Sequence, residues 1–254
     1  MKTLIGDNMT DEIDPTRPES IPRNKLVVFF LIDSSSSMGG EKIGQVNDAI
    51  QEALPEIRNI GGSDADIYFA PLMFDSSARW VYPQPESVET ATWNRIQASG
   101  ATYMGAAFRM LKQKLSRTEY LATPHLSFAP VIMLLSDGYP NDDWRSGLNE
   151  LKTNSWFKNS LRVAIGVGDE VDMTPLKEFV RDEELALHLK NVSNLSILIQ
   201  KILITSSKIG GESNAFSSDN NSTDDFENKK KEEQLKTGLE ELTTSDFLDN
   251  SGFN

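Results

Sequence analysis

The chain has 254 residues, no cysteine and a net charge of −13. That length suits one sizeable α/β domain with tails, and the missing cysteines exclude disulfides, thiolate zinc sites and cysteine nucleophiles while fitting a reducing compartment. Residues 211–254 hold eleven acidic and four basic side chains, so over half of the negative excess lies there; with no basic stripe, nucleic acid is not an expected partner.

Residues 1–24 are polar, carry Pro15, Pro18 and Pro22, and read as a flexible leader. They lack an apolar region long enough for a secretory signal. No apolar run approaches the roughly 18 residues a membrane span needs, so a cytoplasmic protein without membrane insertion is expected. Residues 25–209 alternate strand and helix. Leu26–Ile32 is wholly apolar and reads as a strand buried on both faces. Ile43, Val46, Ala49, Ile50, Ala53, Leu54 and Ile57 recur at helical spacing and predict a helix over 41–58. Ala65–Phe74 reads as a strand, with Pro71 implying a bulge or kink. Ala78–Tyr82 is a short strand joined to it through the turn Asp75-Ser76-Ser77.

Further strands are expected at Pro130–Leu135, Leu161–Val167 and Leu185–Leu189, and helices at Met104–Leu115, Asp142–Lys152, Pro175–Arg181 and Leu195–Ser206. Asp142 and Asp143 are expected to start their helix, where acids suit the positive dipole end. The alternation implies an α/β fold: a doubly wound, Rossmann-like, mostly parallel six-stranded sheet, helices on both faces and one short antiparallel edge strand. Residues 210–254 read as an acidic disordered tail by composition. Leu235, Leu239 and Leu242, followed by Phe247 and Leu248, leave room for a short helix that folds on a partner. The acids of this tail could also close a binding site in cis.

The chemistry begins where the first strand runs into Asp33-Ser34-Ser35-Ser36-Ser37. Every second residue gives D-x-S-x-S, a carboxylate and two hydroxyls, hard oxygen donors suited to a cation such as Mg²⁺. The strand Val131–Leu135 likewise ends in Ser136-Asp137-Gly138, and Gly100-Ala101-Thr102-Tyr103-Met104-Gly105 sets a hydroxyl in a loop before a helix. Taken singly, the serine run reads as a linker, Asp137-Gly138 as a turn and Thr102 as a helix cap. In a doubly wound sheet, however, strand-end residues converge where strand order reverses. Asp33, Ser35, Ser37, Thr102 and Asp137 would give two charges and five donors for one divalent ion, with one octahedral position open. His125 and His188 lie far from these motifs and are expected to be structural or exposed, and the four tryptophans to be packing residues.

At these residues the chain resembles the von Willebrand factor A-type domain over residues 25–208. Asp33, Ser35 and Ser37 in D-x-S-x-S, Thr102 in Gly-Ala-Thr-Tyr-Met-Gly and Asp137 in Leu-Leu-Ser-Asp-Gly match that family's metal-ion-dependent adhesion site (MIDAS). Met73–Arg79, Ser99–Thr102, Ser136–Trp144 and Ala164–Asp169 resemble TerY-like bacterial proteins of tellurite resistance and stress response. The resemblance implies a non-enzymatic adaptor, monomeric on its own: a Mg²⁺-dependent module, with Mn²⁺ or Ca²⁺ as other candidates, that binds an acidic residue of a protein partner, with a kinase or phosphatase encoded nearby.

Two other functions compete. A haloacid-dehalogenase-type phosphohydrolase also starts from a strand-end aspartate, but its D-x-D pattern needs an acid where Ser35 stands. A serine hydrolase would need G-x-S-x-G, which the serine run lacks. A metal-free scaffold would leave the complete donor set unexplained.

Overall fold

A computed structural model describes residues 24–60, 65–116, 118–121, 127–190, 194–212 and 224–243. Among them, seven strands form one sheet: β1 (Asn24–Asp33), β2 (Ala65–Phe74), β3 (Ala78–Trp80), β4 (Glu86–Ser87), β5 (Val131–Ser136), β6 (Leu161–Val167) and β7 (Ala186–Leu189). The order is β3-β2-β1-β5-β6-β7, with β4 also paired to β2. β1, β2, β5, β6 and β7 run parallel. The edge strands β3 and β4 run antiparallel to β2, β4 adding a two-residue strand to the expected six.

β1 is central because it can be buried on both faces. Phe30 meets Phe69 edge-on at 5.0 Å on one face, and Phe29 stacks on Tyr120 at 6.2 Å on the other. Helices α1 (Glu41–Ile60) and α6 (Leu195–Glu212) pack on the first face. On the second lie α2 (Met104–Lys114), α3 (Trp144–Lys152), α4 (Ser155–Asn159) and α5 (Met173–Phe179), joined by the stacking of Phe108 on Phe179 at 5.6 Å. Pro71 makes no break in the β1–β2 register, which runs through Ala70, Pro71 and Leu72. Its carbonyl accepts from Val81 N on the edge side, so its missing N–H falls there too and costs the β1 ladder nothing.

The expected disordered tail needs correcting over Asp224–Thr243, which forms a helix, α7. It packs on α6, burying Leu235 and Leu239, with Gly238 close against Thr205. Polar contacts complete the dock. Asn228 donates to Asn159, and Lys236 Nζ lies 2.8 Å from Asp182, 2.9 Å from Glu184 and 2.8 Å from Glu233. The leucine spacing left room for a short helix on a partner; the structure makes it a 20-residue helix docked on this chain. The Leu242 side chain, Phe247, Leu248 and His125 lie outside the described residues. α7 meets β6 and the segment Arg181–Leu185 just before β7, at the sheet end opposite Asp33, so Glu232 and Glu233 are not the acids that would close the site in cis.

Candidate metal centre

Strand order reverses between β1 and β5: the chain leaves β1 for β2 on one side and runs from β5 to β6 and β7 on the other. Outside their carboxyl ends lies the crevice where such sheets bind ligands. Asp33 ends β1 and Ser136 ends β5, so Asp33 and Asp137 flank that crevice. Both are essentially inaccessible, at 0% and 1% relative exposure. Ser35 and Thr102 are also buried, and Ser37 is exposed.

Three loops meet here and are tied pairwise. Ser36 N donates to Gly100 O at 3.0 Å and Ser99 N to Ser34 O at 2.8 Å, joining the serine run to the threonine loop. Thr102 N donates to Asn141 Oδ1 and Asn141 N to Thr102 O, both at 2.8 Å, joining the threonine loop to the segment after β5. Ser136 Oγ donates to Asp33 Oδ2 at 2.6 Å, closing the ring. Within the run, Ser35 N donates to Asp33 Oδ1 at 2.9 Å, and the Ser35 and Ser37 hydroxyls lie 3.0 Å apart. Gly138 holds the turn after Asp137 at φ 81°, its α-carbon so close to Asp172 that a side chain would strike the carbonyl oxygen.

The helix caps differ from the sequence expectation. Asp143 caps α3, accepting from Ser146 N. Asp142 instead reaches across to α2, accepting from Gly105 N and Ala106 N at 3.0 Å each. Thr102 therefore does not cap α2. Ser136, Asn141, Asp142 and Lys42 were not read from the sequence as parts of the site. Ser136 and Asn141 sit inside the motif-bearing stretch Ser136–Trp144, but their partners are distant in sequence. His188 hydrogen-bonds to Gly168 O at 2.7 Å, a structural role.

The electrostatics suit a cation. Burial pushes the Asp33 carboxyl up to about 6, against the hydrogen bonds from Ser136 and Ser35, and the nearby Asp137 charge adds to the rise. A positive charge placed between two buried carboxylates relieves both the desolvation and the repulsion. Asp137 Oδ2 pairs with Lys42 Nζ at 3.1 Å, while Oδ1 is buried with no hydrogen-bond partner. An orphaned carboxylate oxygen beside a second carboxylate and buried hydroxyls fits a hard cation. Among the described residues, no group of three or more His, Cys, Asp or Glu could hold a metal. A site here must therefore draw on hydroxyls as well as its two carboxylates.

A Rossmann-like sheet with oxygen donors at its switch point defines a class of α/β ligand-binding domain. The family model of the von Willebrand factor type A domain matches residues 28–203, and the chain belongs to that family. It is 27% identical over 171 residues to inter-alpha-trypsin inhibitor heavy chain H1 from Bos taurus, covering 63% of this chain but only 18% of that protein. Its fold matches the pilus adhesin SpaC from Lactobacillus rhamnosus GG, in the open conformation, with a TM-score of 0.56 at 13% identity over 76% of this chain and 31% of that one. It also matches proximal thread matrix protein 1 from the mussel byssus, solved with zinc in its MIDAS motif: TM-score 0.55, 19% identity, 73% of this chain and 48% of that one. No helix among the described residues is long and apolar enough to cross a membrane.

Proposed function

We propose that this chain is a non-enzymatic, metal-dependent protein-interaction module whose site binds an acidic side chain of a partner. The observation that carries this reading is the buried, unpartnered Asp137 Oδ1 in the same crevice as the buried Asp33 carboxyl. Asp33 and Asp137 supply charge; Ser35, Ser37 and Thr102 supply neutral oxygens. Mg²⁺ is the ion this oxygen-only set suits, with Mn²⁺ and Ca²⁺ as alternatives. When bound, the ion supplies an open coordination position for an external carboxylate. The chain's own work is orientation: Ser136 and the Ser35 amide fix Asp33, and Asn141 fixes the Thr102 loop.

The TerY-like stretches around Met73–Arg79 and Ser136–Trp144 support a place in a bacterial stress response or phospho-signalling, in the cytoplasm, with a kinase or phosphatase as partner. The mussel relative with zinc in its own MIDAS motif supports the metal-binding part. The test is Asp33→Ala. Calorimetric Mg²⁺ and Mn²⁺ binding and EDTA-sensitive capture of a partner should both disappear, with the circular dichroism spectrum unchanged. Partner capture that survives both EDTA and Asp33→Ala sinks the mechanism.

A further inference from the structure

One cation is already built against the site. Lys42, in the first turn of α1, reaches Asp137 Oδ2 at 3.1 Å. Its path is shaped by backbone. Gly168, at φ 103°, follows β6, and a methyl group there would meet Lys42 Cε at 2.7 Å. The lysine stem thus lies over a bare α-carbon, and its side chain is 27% exposed against an Asp137 side chain that is 1% exposed. A freely solvated surface lysine has no such track.

Resting on the metal reading above, we propose that Lys42 is a tethered cation that lowers the divalent-ion affinity of the site and leaves the loaded site net positive. The charge count gives the reason. Asp33, Asp137 and Lys42 together carry one negative charge, so a divalent ion leaves one positive charge. Without Lys42 the same ion would leave a neutral site. Lys42 repels the incoming ion and neutralises part of what attracts it, then adds to the field that an external carboxylate meets. It also occupies Oδ2, leaving Oδ1 as the carboxylate oxygen of Asp137 without a partner. Lys42 is therefore a specificity-determining residue: it trades hold on the ion for hold on an anionic partner.

A purely structural lysine predicts the opposite. If Lys42 only orients Asp137, removing it loosens a ligand and weakens ion binding. The experiment is calorimetric titration of the full chain with MnCl₂ and with MgCl₂ at neutral pH, comparing wild type, Lys42→Met and Lys42→Arg. Thermal melts verify folding, and Lys42→Gln replaces Lys42→Met if that variant does not fold. The apolar variant should bind Mn²⁺ roughly tenfold more tightly, and Lys42→Arg should stay near wild type. Water-proton relaxation of the Mn²⁺-loaded chain gives the second readout, because acetate displaces bound water. The apolar variant should need more acetate for the same loss of relaxation enhancement. Equal or weaker Mn²⁺ binding in the apolar variant, with wild type still binding, overturns the role of Lys42 alone. Absence of binding in wild type and variants alike overturns the metal reading and this inference together.

Discussion

Gly105 and Gly147 meet where α2 crosses α3, so closely that a methyl group on Gly147 would lie 2.6 Å from the Gly105 carbonyl oxygen. The crossing sets the first turn of α2, and hence the Thr102 loop before it, against the segment that follows Asp137. Backbone atoms form the contact, so no side chain can swing away. Gly147→Ala should cost about 1–3 kcal/mol in denaturant unfolding and weaken Mn²⁺ binding. Unchanged stability would show that the helices part freely and that the crossing does not position the loop.

Ser136→Ala tests how Asp33 is held. The hydroxyl donates to Asp33 Oδ2 and accepts from Gly138 N at 2.9 Å, linking both sides of the crevice. Its removal leaves a buried carboxylate one donor short, at a cost of about 1–3 kcal/mol. Loss of such an orienting partner lowers metal affinity by roughly 10–100-fold in comparable sites. Chemical unfolding and Mn²⁺ titration read the two effects separately.

Asn47→Ala should destabilise the segment leading to the site. The buried Asn47 side chain donates to Ile43 O and Ile96 O at 2.8 Å each, and accepts from Ile96 N at 2.8 Å and Trp93 Nε1 at 3.0 Å. Truncation strands several polar groups under cover, and a loss of about 2–3 kcal/mol is expected. Hydrogen exchange should show the loosening concentrated over residues 93–99.

Removal of the Lys236 charge should loosen α7. Its carboxylate partners are 28% to 56% exposed, so solvent screening limits the docking loss in Lys236→Ala to about 1–2 kcal/mol. Burial alone would raise the Asp182 carboxyl, but hydrogen bonds from Lys236 and the Glu184 amide outweigh it and hold it below its usual 3.8. A depressed carboxyl stabilises the fold at neutral pH, and that contribution fades as pH falls below 3.8 and through the lower folded value. Lys236 is shifted upward despite burial, by the hydrogen bonds it donates to its acidic partners, so its contribution holds up to its usual 10.5 and is lost only at higher pH. Amide protection in α7 should therefore persist through neutral pH and fail first in acid. Protection lost in mild alkali instead would contradict the ion-pair account.

The sheet was legible because β1 and β5 carry continuous apolar runs and β6 breaks its own only at Arg162, a pattern that suits doubly covered strands. The candidate donors were legible because Asp33 and Asp137 interrupt such runs at their carboxyl ends. Asp142 was misread because its partners are amides of another helix, and local sequence offers only the helix that follows. Ser136 read only as the polar residue after the strand Pro130–Leu135, because the atom it serves is a hundred positions away. The spacing of Leu235, Leu239 and Leu242 hinted at α7, but its dock on this chain was not legible because charges, an asparagine pair and a close glycine hold it.

The pairing of β1 with β5 joins residues 103 apart, as between Ser136 and Asp33. No contiguous fragment shorter than that span can assemble both halves of the crevice. Closing so long a loop belongs to the slow, non-local part of folding. Bound Mn²⁺ would then stabilise the finished chain alone, and its protection would grow logarithmically with ion concentration. A nascent chain still lacking β5 would offer a cation only half of the candidate site, so ion capture would mark the arrival of β5.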